Sequence, residues 1–197
     1  MTAVIDYGTV DNHSFINLLK ELQIDFELTS SESRILQLDR IILPHTDQIR
    51  LALKQLHLLN LYTMLRVCKK PMLGISAGMH LMCEFTKEEN QTCLGIFPIT
   101  VEKVDLTKNG GRIESVSKIL LIKGSNLFKG INEEDKFFFD HSYFVSVNEF
   151  TTAVIGQSPI YSAALEKEFY YGTQFLPEKS GTAGAKIIKN FCSCFNY

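Results

Sequence analysis

Short apolar runs alternate with amphipathic helical patterns over the first hundred residues, and this alternation constrains the fold most strongly. Residues 3–5, 40–43 and 71–75 predict buried strands. Apolar residues recur at i, i+3, i+4 and i+7 from about Ser14, and residues 51–66 have the same helical periodicity. Strands separated by helices of this length predict a parallel sheet joined by right-handed crossovers.

After Gly95 the pattern changes to shorter, β-rich pieces. The candidate strands are residues 99–104, 119–122, 137–139, 143–147, 153–155, 163–165 and 169–173, and a last helix is predicted over residues 182–191. No low-complexity stretch, repeat or linker interrupts the chain. The sequence therefore predicts one α/β domain over residues 1–197, with a central, mostly parallel sheet flanked by helices.

Composition and charge exclude several classes of protein. The formal net charge is −2 and no Lys/Arg run occurs, which argues against nucleic-acid and membrane-surface partners. No apolar stretch approaches the roughly 18 residues that span a bilayer, and the first residues do not resemble a signal peptide. The odd number of cysteines and the lack of paired C-x-x-C spacing favour reduced thiols in a cytoplasmic protein, with neither a metal nor another cofactor: Cys68, Cys83, Cys93, Cys192 and Cys194.

The segment Gly74-Ile75-Ser76-Ala77-Gly78 fits the pattern G-x-S-x-G between a predicted strand and a predicted helix. Small residues on both sides permit a sharp turn that raises the central side chain, and the following helix offers backbone amides to a developing oxyanion. The same residues also suit a plain glycine-rich turn. The pentapeptide alone leaves both interpretations open.

A nucleophilic serine needs a base, and the candidates are few. His80 lies one helical turn after Ser76, and His141 ends an apolar strand at a loop, whereas His57 is expected to be an ordinary helix residue. A serine hydrolase using Ser76 and His141 is conceivable. The usual order of such triads, however, needs a histidine near the C-terminus, and none follows His141.

Several stretches, in order along the chain, resemble the class I glutamine amidotransferases. Within that family the chain is most similar to the amidotransferase subunits of imidazole glycerol phosphate synthases. The matching stretches are residues 3–8, 70–79, 127–131, 139–145, 173–180, 183–184 and 190–191. The resemblance implies a flavodoxin-like α/β sandwich. It also implies a Cys-His-Glu triad that hydrolyses glutamine and delivers ammonia to an (β/α)₈-barrel synthase partner.

The sequence departs from the family pattern at the catalytic positions. Ser76 stands where the family has the nucleophilic cysteine, and Leu176 stands where it has the histidine, so only Glu178 of the triad remains. The glycine-rich oxyanion segment is replaced by residues 45–47, His-Thr-Asp. A serine hydroxyl is far less acidic than a thiol, so the loss of the base is more damaging here than beside a cysteine.

The resemblance also assigns substrate contacts. His80 occupies the position of a glutamine that contacts substrate in relatives, while Ser142 and Tyr143 are retained at the loop near the substrate's amino-acid end. The loops at residues 8–12 and 140–143 are expected to face a partner. Since residues 9–12 lack the family's Gly-Asn turn, the standard partner is itself in question.

Three hypotheses follow. The first is a glutaminase-deficient subunit that binds an α/β-barrel cyclase-like partner, or a sugar amidotransferase in surface-polysaccharide synthesis, and that retains at most glutamine binding. The second is a residual or repurposed hydrolase in which His80 or His141 serves Ser76 as base. The third is the independent serine hydrolase described above.

Overall fold

The computed structural model describes residues 1–8, 13–105, 111–156 and 160–193. Its strands are β1 Thr2–Ile5, β2 Phe26–Thr29, β3 Arg40–Leu43, β4 Met72–Ile75, β5 Cys83–Thr86, β6 Gln91–Thr92, β7 Phe97–Lys103, β8 Ile113–Leu121, β9 Lys136–His141, β10 Tyr143–Phe144, β11 Thr151–Ile155, β12 Ser162–Lys167 and β13 Tyr170–Thr173. The α-helices are α1 His13–Glu21, α2 Glu32–Gln37, α3 Ile49–Leu58, α4 Leu61–Val67, α5 Ala77–Met82 and α6 Gly181–Ser193. Short 3₁₀ turns lie at Asn126–Phe128 and Pro177–Lys179.

Nine strands form the central sheet in the order β2-β1-β3-β4-β13-β12-β11-β8-β9. The first five are mutually parallel, and every later pairing is antiparallel. The predicted α/β fold with a large central sheet flanked by helices is confirmed. Four strands of its parallel part come from the alternating strand and helix patterns of the first half of the chain, and the fifth is β13.

Alternate residues of the central strands enter separate hydrophobic clusters on the two faces of the sheet, as the pleat requires. In β3, Ile41 and Leu43 join the cluster that packs against α3 and α4, whereas Ile42 joins the cluster that packs against α1 and α6. None of the helices in the described ranges combines the length and hydrophobicity needed to cross a bilayer.

The antiparallel half of the sheet curves back toward the parallel half. The backbone N–H of Leu176, just after β13, donates to the carbonyl of Phe138 in the edge strand β9 at 2.9 Å. The rings of Phe137 and Phe175 pack with centroids 4.3 Å apart inside this curve. The chain that follows β13 is thereby fixed between the two halves, next to the end of β4.

The structure departs from the sequence predictions in three elements. The helix expected over residues 51–66 is two helices, because Asn60 adopts a left-handed conformation with φ of 59° between them. The hairpin of β5 and β6 was not predicted. The strand expected at residues 143–147 is reduced to the two residues of β10. The described cysteines, Cys68, Cys83, Cys93 and Cys192, have free thiols.

Candidate functional site

The turn between β4 and α5, residues 74–78, is a sharp elbow that presents Ser76 (the elbow hereafter). Ser76 has a backbone φ of 51°, a value that residues other than glycine rarely adopt. Its backbone N–H donates to the carbonyl of Thr173 in β13 at 2.6 Å. A Cβ at Gly74 would lie 2.6 Å from the Gly78 carbonyl oxygen, and one at Gly78 would lie 2.0 Å from the Leu43 carbonyl oxygen. Both glycines are therefore required by close backbone approach.

The elbow borders a small polar cavity of about 200 Å³. Its lining comes from the ends of β3, β4 and β9, the start of α5 and the loops beside them: His45, Thr46, Asp47, Ser76, Ala77, His80, Glu88, Arg112, Asp140, His141, Ser142 and Tyr143. The sequence-predicted residues Ser76, His80, His141, Ser142 and Tyr143 thus meet at one cavity. Leu176 and Glu178 do not line it.

His80 is held away from the role of a base for Ser76. Its Nε2 lies 3.1 Å from Oε1 of Gln174, a side chain with no exposed surface. The Ser76 hydroxyl makes no capping hydrogen bond to the helix that follows it. Burial lowers the pKa of His80 to about 4, so the ring is neutral at pH 7 and weakly basic.

His141 is engaged in a similar way on the opposite side of the cavity. Its Nε2 lies 3.0 Å from the Tyr161 hydroxyl, and the two rings meet edge to face. Burial, helped by the nearby His80, lowers the pKa of His141 to about 3. Neither histidine is therefore paired with Ser76 as a general base requires.

The segment Leu176–Lys179 keeps its place in the fold without the chemistry of a triad. Leu176 is 3% exposed and packs in the hydrophobic cluster with Phe137 and Phe175. Two residues later, Oε2 of Glu178 is buried and has no hydrogen-bond partner among the described residues. Burial raises the pKa of the Glu178 carboxyl. The aliphatic side chain of Leu176 has no group that could hydrogen-bond to this carboxyl.

The segment of residues 45–47 follows β3 on the other side of the elbow. Nε2 of His45 lies 3.1 Å from Oδ1 of Asp47, and the hydroxyl of Thr46 accepts from the backbone N–H of Gln48. This segment brings a carboxylate and an imidazole to the cavity. The negative charge of that carboxylate opposes the stabilisation of a developing oxyanion.

Two parts of the cavity were missed by sequence reasoning. Glu88 lines the cavity because the unpredicted β5–β6 hairpin carries it there. Burial, with Glu89 and Asp47 nearby, raises the pKa of Glu88 to about 7. Arg112 and Asp140 form a two-pronged ion pair at 2.7 and 2.9 Å. Neither feature has a local sequence signature, because each depends on segments that are distant in the chain.

Known proteins agree with this architecture. The model of the family described as glutamine amidotransferase class-I matches residues 3–194. The chain belongs to the class I glutamine amidotransferase family. A member from Bacteroides fragilis, named imidazole glycerol phosphate synthase subunit HisH, is 37% identical over 191 residues, covering 96% of this chain and 97% of its own. The protein of the same name from Bacteroides thetaiotaomicron is 32% identical, covering 96% of this chain and 97% of its own. The one from Haemophilus influenzae is 33% identical, covering 95% of this chain and 94% of its own.

Solved structures of glutamine amidotransferases share the fold. A crystal structure described as a glutamine amidotransferase has a TM-score of 0.72 at 14% identity, with 96% of both chains covered. The structure of PurLQS from Thermotoga maritima has a TM-score of 0.71 at 13% identity, again with 96% of both chains covered. At these identities the likeness establishes the amidotransferase fold alone.

Proposed function

We propose that this chain is a HisH-like amidotransferase subunit that lacks glutaminase activity and acts by binding a partner. The single observation that supports this most strongly is the state of Glu178. Its buried oxygen Oε2 has no hydrogen-bond partner among the residues that the structure describes, and Leu176 offers no ring nitrogen to it. A triad that has lost the group between its nucleophile and its carboxylate has no path for the proton.

The other catalytic positions reinforce the proposal. By resemblance, the family reaction begins with attack by a thiolate on the glutamine amide, whereas this chain offers the Ser76 hydroxyl without a paired base. Removing the nucleophile or the histidine of a catalytic triad lowers kcat by about 10⁶-fold in a well-studied serine protease. Here the nucleophile, the histidine and the oxyanion segment all differ, and these changes lie on three separate elements around the elbow.

The proposed partner is an α/β-barrel, cyclase-like subunit, as the resemblance implies. Asp140, Ser142 and Tyr143 line the cavity mouth and belong to one of the two loops expected to face the partner. In the other loop, residues 9–12 lie outside the described residues. We expect the partner to cover this mouth, so that the subunit contributes surface and stability to the complex without supplying ammonia.

A second candidate function rests on a specific observation. Ser76, His80 and His141 line the same cavity, so a rearranged side chain could bring one of the rings to the hydroxyl. A residual hydrolase of this kind would show a pH–rate profile governed by that histidine. It would lose activity on His80→Ala or on His141→Ala.

The deciding experiment measures glutamate and ammonia release from glutamine by the purified chain, with and without a barrel subunit of imidazole glycerol phosphate synthase. The blank is Ser76→Ala, which keeps the elbow and removes the hydroxyl. We expect wild type and blank to be equal in both conditions. Release above the blank contradicts the proposal and moves the interpretation to the hydrolase.

Binding is measured separately by size-exclusion chromatography of the chain mixed with the same barrel subunit. Co-elution supports the partner-binding part of the proposal. If the two proteins elute apart while glutamate and ammonia release stays at the blank, the loss of glutaminase stands and the barrel partner is wrong.

A further inference from the structure

The surface between α2 and α4 forms an open groove of about 680 Å³. Both helices belong to the layer that packs on one face of the sheet, and the groove shares no lining residue with the cavity beside the elbow. Its lining comes from the two helices and the residues that follow α4: Glu32, Leu36, Asn60, Thr63, Met64, Val67, Cys68, Lys69 and Lys70. From Asn60 to Val67 these residues recur at i, i+3, i+4 and i+7, so one face of α4 forms a wall of the groove.

Two aliphatic side chains of this groove lie in water. Leu36 is 48% exposed and Val67 is 70% exposed. The face that anchors each helix to the core is a different one, since Ile35 in α2 and Leu65 in α4 are fully buried. Covering exposed aliphatic groups is favourable by about 25 cal/mol per Å² of apolar surface. Apolar patches with a polar rim are typical of protein–protein contact sites.

Opposite charges stand at the two ends of the groove. Glu32 is the first residue of α2, whereas Nζ of Lys70 donates to the carbonyls of Leu36 and Leu38 at the other end of that helix. Lys69 adjoins Lys70 and so lies at the same end. The six residues of α2, at 1.5 Å each, separate the two ends by about 9 Å. Glu32 and Lys69 are both exposed, and neither has an ion-pair partner within the described part of the chain.

This pattern makes the groove complementary to itself. When two copies face each other across a two-fold axis perpendicular to the groove, one groove runs in the direction opposite to the other. Glu32 of each copy then faces Lys69 of the other, and the exposed aliphatic side chains meet between these pairs. Two grooves running in the same direction would instead place like charges together, which is unfavourable. The charges therefore select the reversed arrangement.

We propose that the groove between α2 and α4 is the contact surface of a homodimer, in which Leu36 and Val67 of the two copies pack together and Glu32 of each copy pairs with Lys69 of the other. Nine residues line the groove, compared with roughly 20–30 per partner in a standard interface, so the dimer is weak and forms at high protein concentration. The contact uses no residue of the cavity lining. It therefore depends neither on the loss of glutaminase activity nor on the barrel partner.

The test is sedimentation equilibrium of the intact chain alone, over a series of concentrations from low to high micromolar. We expect the average mass to rise with concentration from that of one chain toward twice that value. Val67→Lys places a charge at the centre of the contact and should keep the chain monomeric. Val116→Lys is the matched control, because this valine is 61% exposed in β8, outside the groove, and its replacement should leave the dimer unchanged. The urea midpoint of each variant shows that it is folded.

Charge reversal tests the pairing itself. Glu32→Lys and Lys69→Glu should each weaken the dimer by about tenfold, because each places like charges opposite one another. The double variant, which exchanges the two charges, should recover the affinity of wild type. A mass that stays at one chain at every concentration, a dimer that survives Val67→Lys, an equal loss with Val116→Lys, or a double variant as weak as the single ones would overturn the proposal.

Discussion

The elbow and the segment Leu176–Lys179 lie at the ends of the neighbouring strands β4 and β13 and are held in place in different ways. The elbow keeps a backbone that few sequences can adopt, with both glycines in contact with neighbouring main chain. The second segment is held by the backbone hydrogen bond from Leu176 to Phe138 and by a side chain at position 176 that packs in the core. The comparison indicates that the elbow is maintained by packing, and that its glycines would be needed even in the absence of catalysis.

Gly78→Val is expected to give the largest effect. Its Cβ would lie 2.0 Å from the main-chain oxygen of Leu43 in β3, and a backbone atom of a central strand cannot move aside without disturbing the sheet. We expect a loss of about 4 kcal/mol in the free energy of unfolding, measured by urea denaturation. Gly124→Ala, where an added Cβ meets nothing within 4 Å, is the control and should be nearly neutral. A mild effect at Gly78 would show that the elbow is looser than its geometry indicates.

Leu176→Ala is expected to give the next largest effect. The side chain is 3% exposed in the cluster with Phe137 and Phe175, so its truncation leaves a cavity and should cost about 3 kcal/mol. Leu120→Ala makes the same chemical change at a side chain that is 57% exposed, and should cost little. Equal urea midpoints for the two variants would contradict a core role for Leu176.

The two regions also show what a sequence can and cannot predict. Buried strands such as β3 and β4 were predicted because their apolar runs are local, and the elbow because its small residues are consecutive. The break at Asn60 and the β5–β6 hairpin were missed for a shared reason. Left-handed conformations occur there at Asn60, Glu89 and Asn90, without the glycine that usually marks such turns.

The same reasoning applies to the candidate site. Ser76, Leu176 and Glu178 were singled out because they lie within motifs. Glu88 was not singled out, because nothing in its neighbourhood in the sequence shows that the hairpin folds against the cavity. The hydrogen bond between His80 and Gln174 joins residues 94 positions apart, so no local pattern could reveal it.

Glu178→Gln is expected to raise stability moderately at neutral pH. The pKa of this carboxyl group is raised in the folded state, so the folded protein binds the proton more tightly than the unfolded chain does. Stability therefore falls as pH rises from the unfolded pKa through the folded one. Replacing the ionisable group should raise the free energy of unfolding by about 1 kcal/mol at pH 7. At a pH below both pKa values it should change nothing, because Glu178 is protonated in either state.

The measurement is the urea midpoint of wild type and Glu178→Gln across this pH range. Glu84→Gln, which changes an exposed carboxylate, should show no such pH-dependent gain. A stabilisation that persisted unchanged in acid would mean that the charge of Glu178 is not its cause.

Ser76→Gly is expected to give the smallest effect, and it tests the backbone strain at Ser76 in the elbow. Ser76 holds φ of 51°, which is strained for any residue with a Cβ and accessible to glycine. Ser76→Ala keeps the Cβ and removes only the hydroxyl, so it should leave stability close to that of wild type. We expect Ser76→Gly to be more stable than Ser76→Ala by about 1 kcal/mol, because relief of strain exceeds the entropy that glycine adds to the unfolded chain. Thermal denaturation of the two variants side by side measures this difference. If the glycine variant is instead the less stable of the two, the conformation of Ser76 is not strained, and the elbow places no penalty on whichever residue occupies its apex.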